Sequence, residues 1–155
     1  MIRSQHGFKK LHQITDAFLF NRTTRRQDMI QEKKMEQVKI EADTWKRLLD
    51  FFMEENVHAK NRLSNILKDG FDRDLLDELE NFQSQFIKQD EMINLLRRDI
   101  AELSILLSKE NGTDEVSTNL LNRKLENLRY NLADSERRFS GLQLNFNKYL
   151  SKSVG

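Results

Sequence analysis

The chain of 155 residues has no cysteine, so disulfides, thiolate metal sites and cysteine nucleophiles are all excluded. It has no proline and only five glycines, at positions 7, 70, 112, 141 and 155. Those are the residues that most effectively stop a helix, so long helices are the expectation wherever the apolar pattern supports them. No apolar run approaches the roughly 20 residues needed to cross a bilayer, and the stretch from Ile14 to Phe20 carries Asp16. The first residues include Arg3, Lys9 and Lys10 but lack an apolar core segment and a small-x-small cleavage pattern, so they do not read as a secretory signal. With cysteine absent as well, a cytoplasmic location is expected.

Catalytic signatures are equally scarce. No Walker loop, G-x-S-x-G or G-x-G-x-x-G occurs, and the "DGFD" at 69–72 lacks the ligand spacing of a calcium loop. The sequons "NRT" at 21–23 and "NGT" at 111–113 read as helix punctuation. Glu55 and His58 reproduce the Glu-x-x-His spacing of di-metal helical bundles. Such a site needs two copies of that motif and inward ligands from four helices, whereas this sequence offers one copy and two other histidines, His6 and His12. A histidine phosphotransfer reading fails as well, because "HAKNR" at 58–62 lacks the lysine and glycine spacing of such modules. Carboxylate pairs such as Glu54 with Glu55, or Asp77 with Glu80, lie on highly charged helices and read as solvated faces. The expectation is a protein that is not an enzyme, with no catalytic, cofactor-binding or metal-binding residues and no small-molecule substrate.

What the sequence has in abundance is charge, 33% of residues, distributed unevenly. Residues 1–27 hold Arg3, Lys9, Lys10, Arg22, Arg25 and Arg26 against Asp16 alone, six cations to one anion and a net of +5. The whole chain sums to +1, which leaves −4 on the remainder. A basic arm thus precedes an acidic body, a distribution suited to docking of the arm or to anionic partners.

From Met35 onward, apolar residues recur alternately three and four apart: Met35, Val38, Ala42, Trp45, Leu49, Phe52, Ala59, Leu63 and Ile66, with Asn56 in the same series. A second series runs Leu75, Leu79, Phe82, Phe86, Gln89, Ile93, Leu96, Ile100, Leu103 and Leu107. The third is Leu121, Leu125, Leu128, Leu132, Ser135, Phe139, Leu142, Phe146 and Tyr149. This alternation is the heptad pattern of helices that pack along a seam. Gly70, with Asp72 as N-cap, and Asn111-Gly112 with Thr113 as cap, supply two reversals. The fold class expected is all-α, an antiparallel bundle of three long coiled-coil-like helices at about 28–68, 73–110 and 114–150. Phe8, Leu11, Ile14 and Phe18 share a helical face in a different phase. Thr24 and Gln27 make a weak capping box, so a separate short N-terminal helix is expected within 1–27.

Three polar residues, Asn56, Gln89 and Ser135, fall on the apolar stripes, one per helix, and are expected to form a polar core layer that fixes pairing register. Each helix is also apolar beyond its stripe. Leu48, Phe51, Leu76, Ile87 and Leu95 are therefore the expected partner-binding residues, with self-association, most simply a dimer, as the outcome. The sequence outlines a helical scaffold or adaptor that binds protein. The alternative is an anionic-surface binder that touches nucleic acid or membrane through Arg3, Lys9, Lys10, Arg22, Arg25 and Arg26.

Overall fold

A computed structural model describes residues 2–70, 72–109 and 115–153, with side chains from residue 13 onward. The protein is all-α. Helix α1 spans Ile2–Lys68, α2 spans Leu76–Lys109 and α3 spans Glu115–Ser153, with one turn of 3₁₀ helix at Arg73–Leu75 and no strand among the described residues. The chain divides into two compact units, Met1–Ile40 and Glu41–Gly155.

The short N-terminal helix expected ahead of residue 28 is not a separate element, because α1 continues through that position. Neither glycine nor proline occurs between Gly7 and Gly70, so nothing in the interval forces an end. The expected cap at Thr24 bonds the other way. Its Oγ1 donates to the carbonyl of Phe20 at 2.9 Å, as Thr23 Oγ1 does to Leu19, so both hydroxyls satisfy themselves against the preceding turn. Arg25 and Arg26 would in addition have opposed the dipole of a helix beginning there.

Helix α1 ends where the sequence marks it. Gly70 takes φ +86°, the left-handed conformation that glycine reaches without a Cβ penalty, and the Asp69 N–H still donates to Asn65 O at 3.0 Å. Asp72 is extended and caps the 3₁₀ turn rather than α2, its carbonyl accepting the Leu75 N–H at 3.0 Å. Its side chain makes no capping bond. The expected cap at Thr113 lies outside the described residues.

Within Glu41–Gly155 the burial follows the three-and-four spacing. Ala42, Leu49, Phe52, Asn56, Ala59 and Leu63 are buried on α1. Leu79, Phe86, Gln89, Ile93, Leu96, Ile100, Leu103 and Leu107 are buried on α2, and on α3 the buried series runs from Leu121 to Phe146. At the end of α3 the buried residue is Leu150, while Tyr149 is half-buried against Phe82 with ring centroids 5.3 Å apart. All three helices contribute to one core cluster of Ala59, Leu63, Leu79, Phe86, Leu142, Phe146 and Leu150. Phe86 meets Phe146 edge-on at 5.1 Å, and Phe52 stacks on Phe139 at 4.2 Å. Such ring pairs add about 0.5–1.5 kcal/mol beyond area burial.

Phe86 is fully buried in this cluster, so Phe86→Ala is expected to lower unfolding free energy in urea by about 3–5 kcal/mol. Gly70→Ala meets open space yet keeps the positive φ, and its expected cost in the same measurement is about 1 kcal/mol, from the backbone alone.

Candidate functional site

The buried polar residues sit where three apolar stripes would otherwise be continuous. Asn56, Gln89 and Ser135 are the buried polar side chains, at 0%, 6% and 2% exposure. Gln89 Nε2 donates to Ser135 Oγ at 3.4 Å, joining α2 to α3. Asn56 Nδ2 donates across to α2, to Asp90 Oδ1 at 3.1 Å and to the Phe86 carbonyl at 3.4 Å. Lys60, one turn beyond Asn56, pairs with the other oxygen of Asp90. Asp90 is thus shared by an amide and an ammonium from the same face of α1, with Gln89 beside it bonding the third helix. Asp90 and Lys60 flank the stripe and are missed by a reading of the stripe alone. The available signal is their spacing, with Asp90 next to Gln89 and Lys60 four residues after Asn56.

The bonds of this cluster join α1 to α2 and α2 to α3. The Asn56 Oδ1 is buried without a partner among the described residues, at a cost of about 1–3 kcal/mol. A slipped pairing would lose the bonds that Asn56 donates to Asp90 and to the Phe86 carbonyl, leaving both ends of the Asn56 amide unsatisfied. Among the described residues no group of three or more histidine and acidic side chains is gathered closely enough to hold a metal ion. His58 is exposed and Glu55 half-buried.

Charged pairs tie the helices together outside the core. Arg129 clasps Glu41 with two bonds, 2.7 and 2.8 Å, Arg97 reaches Asp50 at 2.6 Å, and Lys124 pairs with Glu102. The Lys124 hydrogen bond, reinforced by its charge, holds the Glu102 carboxyl below its ordinary range. The hydrogen bonds that Arg129 donates to Glu41 likewise raise the Arg129 guanidinium. Burial, and then the negative charge of Glu78, raise the Tyr149 phenol.

The five residues expected to bind a partner differ in exposure. Phe51, 51% exposed, lies on the α3 side of α1, edge-on to Phe139 at 6.2 Å. Leu95 faces the groove between α2 and α3, a depression of about 590 Å³ shared with Met92, Arg138, Gly141 and Asn145. Ile87 stands one turn before Asp90, on the edge of α2 that meets α1. Leu48 and Leu76 are half-buried.

In Met1–Ile40 the described side chains, from residue 13, include none that is buried. Ile14, Phe18, Leu19, Phe20, Met29, Ile30 and Ile40 are each more than half exposed. Arg22, Arg25 and Arg26 are exposed among them, while Arg3, Lys9 and Lys10 belong to the stretch whose side chains are not described. No helix among the described residues is long and apolar enough to cross a membrane. The chain matches no protein-family model, no curated protein and no solved structure.

Asn56→Leu is expected to raise the urea midpoint by removing a buried unsatisfied oxygen, whereas Asp90→Ala lowers stability by about 1–3 kcal/mol by removing one of the two acceptors of the Asn56 amide and the partner of Lys60. Because the folded pKa of Glu102 is depressed, its pairing stabilises the fold above the ordinary carboxylate range, and that contribution disappears as pH falls through the folded value. Lys124→Ala should return the Glu102 titration, followed by carboxyl NMR, to the ordinary range.

Proposed function

We propose that this protein is a non-enzymatic helical scaffold or adaptor that works through protein–protein association, including association with itself, most simply as a dimer in the cytoplasm. In this reading, residues 41–155 form an antiparallel bundle with coiled-coil-like seams. The order of the cross-helix pairs supports that arrangement. Asp50 meets Arg97 while Lys60 meets Asp90, so numbers rise on α1 as they fall on α2. Gln89 with Ser135 and Glu102 with Lys124 run in the same opposed sense between α2 and α3.

The observation that carries the functional reading is the exposure of large apolar side chains after three helices have packed. Phe51, Ile87, Met92 and Leu95 remain 37% to 51% exposed on the bundle, and Phe18 and Met29 are more exposed still. Apolar surface of this kind, rimmed by charge, suits a protein partner. Sedimentation equilibrium of the full chain should give a mass near twice the monomer's 18.5 kDa at micromolar concentration. A constant monomer mass across that range would contradict self-association.

A second reading, binding to an anionic surface, draws on Arg22, Arg25 and Arg26, which are exposed and form no ion pair among the described residues. If these residues and their neighbours neutralised about four phosphates, log affinity would fall with log salt at a slope of about −3.6. Retention of duplex or single-stranded nucleic acid, or of anionic vesicles, with such a slope would favour this reading over the first.

A further inference from the structure

The exposed apolar residues of Met1–Ile40 follow a period that differs from the bundle's. Phe18, Met29 and Ile40 are eleven residues apart, and so are Leu19 and Ile30, with exposures from 51% to 65%. Eleven residues make three turns of helix to within roughly 20°, so the two series form one continuous stripe along α1. A helical segment with an exposed stripe, and only Gln31, Met35 and Val38 half-buried among its described side chains, gains little from packing, and isolated helices are marginal in water.

The charges along this stripe change about Met29, from Arg22, Arg25 and Arg26 before it to Glu32 and Glu36 after it, with Lys33 between the two glutamates. Arg22 and Arg25 lie on its line before Met29, and Glu32 and Glu36 after it. Two like-charged pairs at i,i+4 spacing, Arg22 with Arg26 and Glu32 with Glu36, each disfavour the lone helix. None of these side chains makes an ion pair among the described residues.

We infer that residues 18–40 of α1 pair with the same segment of a second copy, antiparallel, about a two-fold axis at Met29. The pairing sets Phe18 against Ile40 of the other copy, Arg22 against Glu36, Arg25 near Glu32, and Met29 against itself. A parallel pairing would instead bring each arginine against its own copy. A bilayer is a poorer occupant, since Arg22 and Arg25 stand within the apolar line and would have to enter the lipid face. Arg26 and Lys33 come up side by side across the axis, a like-charge contact that keeps the association reversible. This inference rests on the self-association reading and names the surface that performs it.

Single cysteines test it cleanly, because the native chain has none. Under mild oxidation Met29→Cys should form a disulfide dimer, since the axis brings the two positions together, within the roughly 7 Å a disulfide tolerates. Phe18→Cys alone should not, its copies lying about 33 Å apart, while a mixture of Phe18→Cys and Ile40→Cys should cross-link as a heterodimer. Independently, the charge reversals Arg22→Glu/Arg25→Glu and Glu32→Arg/Glu36→Arg should each sediment as monomers, and their equal mixture as a dimer. Cross-linking of Phe18→Cys with itself, or a mixture of reversed variants that stays monomeric, would overturn the proposal. A wild-type dimer in which Met29→Cys fails to cross-link would overturn it while leaving self-association through the bundle grooves intact. A chain monomeric at every concentration would overturn both.

Discussion

The constraint on which residues 41–155 depend is the burial of one narrow stripe per helix against the other two stripes. Leu49, Ile93, Ile100 and Leu103 are completely buried, and each owes that to side chains on another helix. A single amphipathic helix of this composition has nowhere to put Phe86 or Phe146. Placed together, those rings meet edge-on and close the core around Leu63 and Leu79. Helix length, the reversal at Gly70 and the cross-helix ion pairs all serve that arrangement. The exposed pairs add little on their own, about 0–1 kcal/mol each. Their use is to disfavour misaligned packing by charge.

Within that apolar frame the chain gives up hydrophobic burial at three points. Asn56, Gln89 and Ser135 cost desolvation, and their bonds to Asp90, Phe86 O and each other are available only when the helices sit in one alignment. Apolar stripes tolerate slippage by a whole repeat, since leucine replaces leucine. A shared carboxylate does not, because Asp90 must find Asn56 and Lys60 together.

Much of this is legible in the amino-acid sequence. The three-and-four spacing marks the residues from Ala42 to Leu63, from Leu79 to Leu107 and from Leu121 to Phe146 that the fold buries. Element ends are less readable. Asp72 caps a 3₁₀ turn instead of α2, and Leu150 takes the last core place beside Tyr149, because adjacent apolar residues in a final turn compete for one position. The break expected after residue 27 rests on a threonine cap with no glycine or proline to enforce it, and both threonines bond backward instead. Asp90 stays hidden because its role depends on how two helices align, which no single helix reveals. The stripe of Phe18, Met29 and Ile40 is hidden for another reason: it repeats every eleven residues, and a seven-residue frame scatters it over the helix surface.

The two units thus differ in what stabilises them. Glu41–Gly155 carries its own core, whereas residues 13–40 present exposed apolar side chains and like-charged pairs with no fully buried side chain among them. Native-state hydrogen exchange at two protein concentrations tests this difference directly. Amides in the stripes of residues 49–63, 79–107 and 121–150 should exchange at one slow, common level that is independent of concentration. Amides of residues 18–40 should exchange rapidly in dilute protein and gain protection as concentration rises. Equal protection of residues 18–40 at both concentrations, or exchange of the three helices of residues 41–155 at separate levels, would contradict the account.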